Sequence, residues 1–338
     1  MKSFLKLRYL LWLAFPPLVW WALKDVPLHE IAMKLETLNL ASVLLLFALN
    51  GIILVLFSSR WWLILRQQGY LLPYLSLVGY RLAAFGLAYF TPGPQIGGEP
   101  LQVHLLQRRH GIPAAAALAS VSLDKLLEWL VNLVLILTGV FLVLKGGLIK
   151  VPDSGQIILV MLVLLALPVG YLLSIWKGHQ PVSLILGRLS GKLAGSVILK
   201  KVQSPVATAE RQIAQSFREH PVTILMSLFL SMLTWLALGA EYWLMLKFLG
   251  TQFGIIQIVL IMTAARLAFL TPLPGGLGAL EAGQVLAMSA LGADPSLGIS
   301  LSLLIRARDI ALGGLGLVLG GLLVRSTPHK SLPAPAGD

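Results

Sequence analysis

The stretch Asn39 to Ser59, NLASVLLLFALNGIILVLFSS, runs 21 residues without one charged side chain. At ~1.5 Å per residue an α-helix of that length covers ~30 Å, the thickness of a bilayer's hydrocarbon. A second uncharged run, Ile157 to Ile175, extends over 19 residues. Around these runs the chain stays poor in charge: 12% of its 338 residues are Asp, Glu, Lys or Arg and 57% are apolar, against roughly 25% charged in a soluble domain. Such a surface meets lipid rather than water, which excludes a water-soluble enzyme. The fold class is an all-α polytopic membrane protein.

Working outward, hydropathy predicts full spans near 9–23, 40–58, 113–144, 157–175, 221–246 and 297–324. Two regions, 73–109 and 255–293, are interrupted by Pro and Gly clusters and read as broken, re-entrant helix pairs. Positive-inside reasoning puts the N-terminus, Arg60 with Arg66, Arg108 with Arg109, the 177–219 segment and the tail with Arg325 and Lys330 on the cytoplasmic side. Both termini are then cytoplasmic, in a multi-pass protein of the inner (cytoplasmic) membrane. The 177–219 segment holds seven Lys or Arg and two Glu, with Leu184, Leu189, Leu193 and Ile198 between them, and is expected to lie on the membrane surface as an amphipathic helix. Leu28 to Leu38 is its shorter counterpart outside. The organisation is a single membrane domain, 1–338. Its first part, 1–150, contains the first broken pair, and 151–220 is a span plus the basic segment. Residues 221–325 contain the second pair, and 326–338 form a tail.

The net charge of +12 fits cationic loops near anionic headgroups rather than nucleic acid. Lys2, Lys6 and Arg8 resemble the start of a signal peptide, but no small-residue cleavage site follows, so an uncleaved first span is expected. The absence of cysteine excludes disulfides, thiol catalysis and thiolate metal sites. No metal or cofactor is expected.

The two broken regions share a pattern. The first has Arg81, then Thr91-Pro92-Gly93-Pro94, Gly97-Gly98 and Glu99; the second has Arg266, then Thr271-Pro272-Leu273-Pro274, Gly275-Gly276 and Glu281. Proline stops one half-helix and paired glycines turn the backbone before the next begins. Three full spans lie between the units, so they are expected to form inverted repeats, as in many transporters. Broken backbone at membrane depth needs protein or water to satisfy it, which predicts a polar interior. A half-helix N-terminus favours the carboxylates Glu99 and Glu281, or a substrate phosphate in their place.

Charges inside predicted membrane segments are the candidate substrate-binding residues: Arg81, Glu99, Asp124, Lys125, Glu128, Arg266, Glu281, Arg306, Arg308 and Asp309. At ~2.5–3.5 kcal/mol each on the insertion scale they must be paired or wet. Ser120, Asp124, Glu128 and Asn132 recur every four residues and form one polar stripe. Lys125 is spaced to neutralise Glu128, and Arg306 to pair with Asp309. Glu241 stands alone, or snorkels outward with Lys247. Gly313, Gly316 and Gly320 are expected to serve helix packing.

Gly97-Gly98-Glu99-Pro100 with Leu105-Leu106-Gln107-Arg108-Arg109, then Leu123-Asp124-Lys125-Leu126-Leu127-Glu128, and later Pro272 to Gly278 with Glu281, resemble the lysylphosphatidylglycerol synthase transmembrane region, also called the flippase-like family. The resemblance covers nearly the whole chain. It implies movement or presentation of lipids: aminoacylated phospholipids, polyprenyl-linked sugars or hopanoids. Two positions depart from the family pattern. Gln102 stands where an Arg often follows the first glutamate, and Lys125 stands where an Arg is expected, a weaker bidentate phosphate ligand. The chain ends soon after its last predicted span, so the soluble aminoacyl-transferase domain of the full synthases is expected to be lacking.

Three functions follow. The first is a lipid translocase whose cations hold a headgroup phosphate, with the acids as counter-charges or proton carriers. No Gly-x-x-x-x-Gly-Lys-Ser/Thr motif occurs, so movement is downhill, ion-coupled or driven by a partner. The second is an intramembrane enzyme, with Asp124 and Glu128 as an acid–base pair; no His-Glu-x-x-His motif supports metal chemistry. The third is a scaffold that recruits lipid-modifying enzymes at the cytoplasmic face through the basic segment.

Overall fold

The computed structural model describes residues 39–91, 97–146, 154–192, 197–271 and 273–325, with His29 and Met33. The expected span at 9–23, most of 28–38, the tail 326–338, and Pro92, Pro94 and Pro272 of the break motifs lie outside the described residues. Among those described, all regular structure is helical. In order, the helices are α1 (Leu40–Gln67), α2 (Tyr74–Phe90), α3 (Glu99–His110), α4 (Ala114–Lys145), α5 (Ser154–Trp176), α6 (Pro181–Lys192), α7 (Val197–Glu219), α8 (Pro221–Phe248), α9 (Ile255–Phe269), α10 (Ala279–Ala290) and α11 (Pro295–Arg325). A 3₁₀ turn, Pro274–Gly276, separates α9 from α10.

Among the described residues four helices, α1, α4, α8 and α11, are long and apolar enough to cross a membrane. A fifth crossing is possible by length and composition if Leu162–Trp176 and Pro181–Ser190, bent by 94°, form one span. α1 is longer than hydropathy predicts. The apolar run resumes after Arg60 with Trp61 to Leu65, and the helix continues to Gln67. Both predicted breaks are present as pairs of short helices: α2 has 17 residues and α3 has 12, and α9 has 15 and α10 has 12.

Two compact units divide the chain. The first comprises the described residues of 1–47, 82–98 and 242–321, and the second those of 48–81, 99–241 and 322–338.

In the second unit α4 is the central element, packed by α3, α5 and α7. Its alanine-rich start lets neighbours approach closely. Ala117 and Val121 join Trp61, Leu65, Leu77, Tyr80 and Leu105 in one core, while Ala119, Leu123 and Leu127 meet Ile64, Ile175, Ala209 and Ile213 in another. The basic segment is therefore two helices rather than one. Ala209, Ile213 and Ala214 of α7 are buried against protein, and α6 presents the exposed Leu184, Ile185 and Leu189.

In the first unit α9 packs on α10 across a turn whose Gly275, Gly276 and Gly278 have φ of 53°, 62° and 75°. L-residues with a Cβ rarely adopt these angles. Small residues set the helix contacts here: a Cβ on Gly86 of α2 would lie 2.5 Å from the Gly313 carbonyl oxygen of α11, and one on Gly316 would strike the Leu82 backbone. The expectation for Gly313 and Gly316 thus has a physical basis in backbone-to-backbone approach.

Candidate functional site: two buried charge clusters

The second unit gathers six charges from four helices. Arg60 of α1 is 1% exposed and uses all three guanidinium nitrogens: Nε donates to Asp124 Oδ1 (2.6 Å), Nη1 to Ser231 Oγ (2.9 Å) and Nη2 to Glu128 Oε2 (2.9 Å). Arg81 of α2 takes the other Asp124 oxygen through Nη2 and lies 3.6 Å from Glu128 Oε2 through Nη1. Lys125 is 3.3 Å from Glu128 Oε1 and 3.4 Å from Glu99 Oε1. Three cations thus face three carboxylates, which is how such a group is tolerated away from water. Phe57 lines the arginines, 5.7 Å from Arg60 and 5.4 Å from Arg81, adding cation–π attraction.

Exposure grades along this cluster. Arg60 and Asp124 are sealed, at 1% and 2%, while Glu99, Glu128 and Lys125 are 22%, 25% and 29% exposed. The Nε of Arg81 is buried without a hydrogen-bond partner, as is Asn132 Oδ1, one helical turn beyond Glu128. The predicted stripe is present: Ser120 accepts from Trp61 Nε1 (3.3 Å), and Asp124 and Glu128 carry the cluster.

The first unit holds a smaller cluster. Arg306 of α11, 1% exposed, grips Glu281 of α10 side-on, through Nε and through Nη2 (2.8 Å). Its Nη1 and Nη2 also donate to the carbonyls of Gly275 (3.3 Å) and Gly276 (3.4 Å). One guanidinium thereby satisfies two carbonyls freed by the helix break. Arg308 bonds to its neighbour Asp309, with Nε to Oδ1 at 2.9 Å.

Several sequence expectations change. The Arg306–Asp309 pair does not form as spaced: tertiary contact gives Arg306 to Glu281 and Asp309 to Arg308. Arg60, expected beyond the end of the 40–58 span, lies inside α1 and is the most buried cation of the second unit's cluster. The signal was in the sequence, since Trp61-Trp62-Leu63-Ile64-Leu65 returns to apolar residues right after it. Glu241 neither stands alone nor snorkels; it is fully buried and accepts from Asn50 Nδ2 at 2.6 Å. Lys247 lies instead over the Trp243 ring. Arg266, the expected counterpart of Arg81, is half-buried on α9. Glu99 and Glu281 both lie in the first turn of their helices. Thr91 and Thr271 turn their hydroxyls back to the Leu87 (2.8 Å) and Ala268 (2.7 Å) carbonyls at the ends of α2 and α9. Among the described residues no group of three or more His, Asp or Glu is placed to hold a metal ion.

A buried acid–base seam on membrane-length helices is the setting in which the family resemblance can be judged. The family model described as lysylphosphatidylglycerol synthase TM region matches residues 15–316. The chain belongs to that family. A UPF0104 membrane protein of Methanothermobacter thermautotrophicus is 25% identical over 279 residues, 79% of this chain and 80% of the relative. No solved structure matches the chain. The match runs from before α1 into α11 and so includes both charge clusters of this family member. It is a multi-pass membrane protein.

Proposed function

We propose that this protein is a lipid translocase of the cytoplasmic membrane, moving an anionic or lipid-linked headgroup, or a hopanoid-type lipid, without an ATPase of its own. The observation that carries the reading is the graded exposure of the second unit's cluster. Arg60 and Asp124 form a closed ionic base. Lys125, Glu99 and Glu128 form its open end, where a headgroup phosphate can replace a carboxylate partner of Lys125 at small electrostatic cost. Arg81 has a donor to spare beside it.

Within the expected architecture of six full spans, a repeat of contacts supports reading the two broken helix pairs as inverted repeats. In each half, a glutamate in the first turn after the break pairs with a cation on the following long helix. Glu99 pairs with Lys125, 26 positions on, and Glu281 with Arg306, 25 positions on. An acid follows each cation by three residues, Glu128 and Asp309. Discontinuous helices at repeated positions are the usual place for a transporter's substrate site. The basic loops favour cytoplasmic termini, and lipid-modifying enzymes acting at that face are the natural partners of such a protein. Asp124 and Glu128 are each engaged by arginine, which favours electrostatic support over general acid–base chemistry.

The test is reconstitution into proteoliposomes with a labelled anionic phospholipid. Lys125→Gln and Glu99→Gln abolish movement between leaflets while the purified variants remain folded. Transport at the wild-type rate in both variants overturns this site. Chemically altered lipid after incubation would instead favour the intramembrane enzyme.

A further inference from the structure

We propose that the corner between α5 and α6 is a docking site for the phosphodiester headgroup of an anionic phospholipid, separate from the charge clusters. The chain bends by 94° between Leu162–Trp176 and Pro181–Ser190, with α5 taken to stand in the bilayer and α6 to turn along its surface. The turn is made by Gly178, at φ 91°, and α7 clamps both sides of it. Arg218 donates to the Trp176 carbonyl at the end of α5 through Nε (2.9 Å) and also through Nη2, which leaves Nη1 unused. Glu210 accepts from the Val182 (2.9 Å) and Ser183 (3.0 Å) amides at the start of α6. Cation on a C-terminus and carboxylate on an N-terminus each oppose the local helix dipole, so the corner is held rigid.

Beside this clamp lies a cavity of about 350 Å³, lined among others by His179, Gln180, Arg211, Gln215 and Arg218. Arg211 and Arg218 make no ion pair among the described residues; Arg211 has only a long Nε bond to the Ala207 carbonyl, at 3.4 Å. The two carboxylates on the wall are already engaged, Glu210 by the α6 amides and Glu219 by Gln215 Nε2 at 2.7 Å. The cavity therefore presents two arginines with guanidinium donors to spare, next to the exposed His179 and Lys177.

What surrounds it selects a lipid over a free anion. Leu173, Trp176, Leu184 and Ile185, on the helices that meet at the corner, are 51–56% exposed. An exposed tryptophan beside basic side chains at a helix end is the pattern of a headgroup-level boundary. Acyl chains lie along these apolar residues while the phosphodiester reaches the arginines, each basic residue adding to attraction by the anionic surface.

The full chain in neutral detergent, titrated with phosphatidylglycerol, tests the site by thermal shift. Wild-type protein is stabilised by phosphatidylglycerol and not by phosphatidylcholine or inorganic phosphate at equal concentration. Arg211→Gln weakens the effect about five-fold, whereas Arg188→Gln, an exposed charge on α6 that does not line the cavity, leaves it unchanged. As a readout that does not depend on removing an arginine or freeing Glu219, Gln180→Cys on the cavity wall, the single thiol in a chain without native cysteine, is protected from maleimide by phosphatidylglycerol. Equal loss in Arg188→Gln, equal binding of phosphatidylcholine, full competition by inorganic phosphate, or an unprotected thiol at position 180 each overturns the proposal.

Discussion

Arg60 donates from Nε to Asp124 at 2.6 Å, across 64 positions of sequence, and both side chains are at most 2% exposed. The same carboxylate serves Arg81. Asp124 is therefore the counter-ion of two buried guanidinium groups. Asp124→Ala is expected to destabilise the protein by ~3–5 kcal/mol, the usual cost of stranding a buried charge. Glu99→Gln, at the open end, is expected to cost no more than ~1 kcal/mol. Unfolding in detergent, followed by helical circular dichroism, measures the contrast.

The turn at Gly275 is also expected to resist substitution. Its φ is 53°, and an added Cβ would stand 2.9 Å from the Tyr89 ring. Gly275→Ala should lose ~1–3 kcal/mol. Arg306→Lys should also loosen the turn, since an ammonium cannot reproduce the side-on grip on Glu281 and the bonds to two carbonyls. The readout is maleimide labelling of Leu277→Cys, expected to be faster in the Arg306→Lys background than in the Leu277→Cys protein alone.

Helix packing supplies a graded series. Gly316→Val would drive a side chain into the Leu82 backbone, whereas a Cβ on Gly314 meets nothing within 4 Å. The first should lower the melting temperature sharply, because backbone cannot yield as a flexible side chain does. Gly314→Ala should be neutral or stabilising by up to ~1 kcal/mol through helix propensity.

Glu210 is 2% exposed and bonds the first amides of α6. Glu210→Gln retains the shape but loses the charge-assisted bonds, worth ~1.5–3 kcal/mol each at most. Hydrogen exchange at Val182 and Ser183 should accelerate at least tenfold, with α4 amides unaffected.

Much of this was legible in one dimension. Uncharged runs located the long helices, because lipid forbids charge over ~30 Å unless it is compensated. Proline and glycine clusters located the breaks between α2 and α3 and between α9 and α10, because their backbone effects are local. The stripe Ser120, Asp124, Glu128, Asn132 was visible as a four-residue period. Partner choice was not. Spacing offered Arg306 to Asp309, yet the turn at Gly275 and Gly276 brings two open carbonyls and Glu281 to the same guanidinium, and together these outweigh one local acid. Arg60 fell outside the predicted 40–58 span because the hydropathy run pauses there.

The sequence by itself determined the solvent, the helical class, the places where helices stop and the types of charge placed in lipid, since each depends on composition or on residues a few positions apart. Tertiary structure decided which charge faces which, that Arg60 is sealed while Lys125 is open, and that Ala209, Ile213 and Ala214 of α7 pack on protein. Those outcomes depend on contacts tens to hundreds of positions apart, and in a low-dielectric interior the strongest partner is the nearest one in space, whatever its distance along the chain.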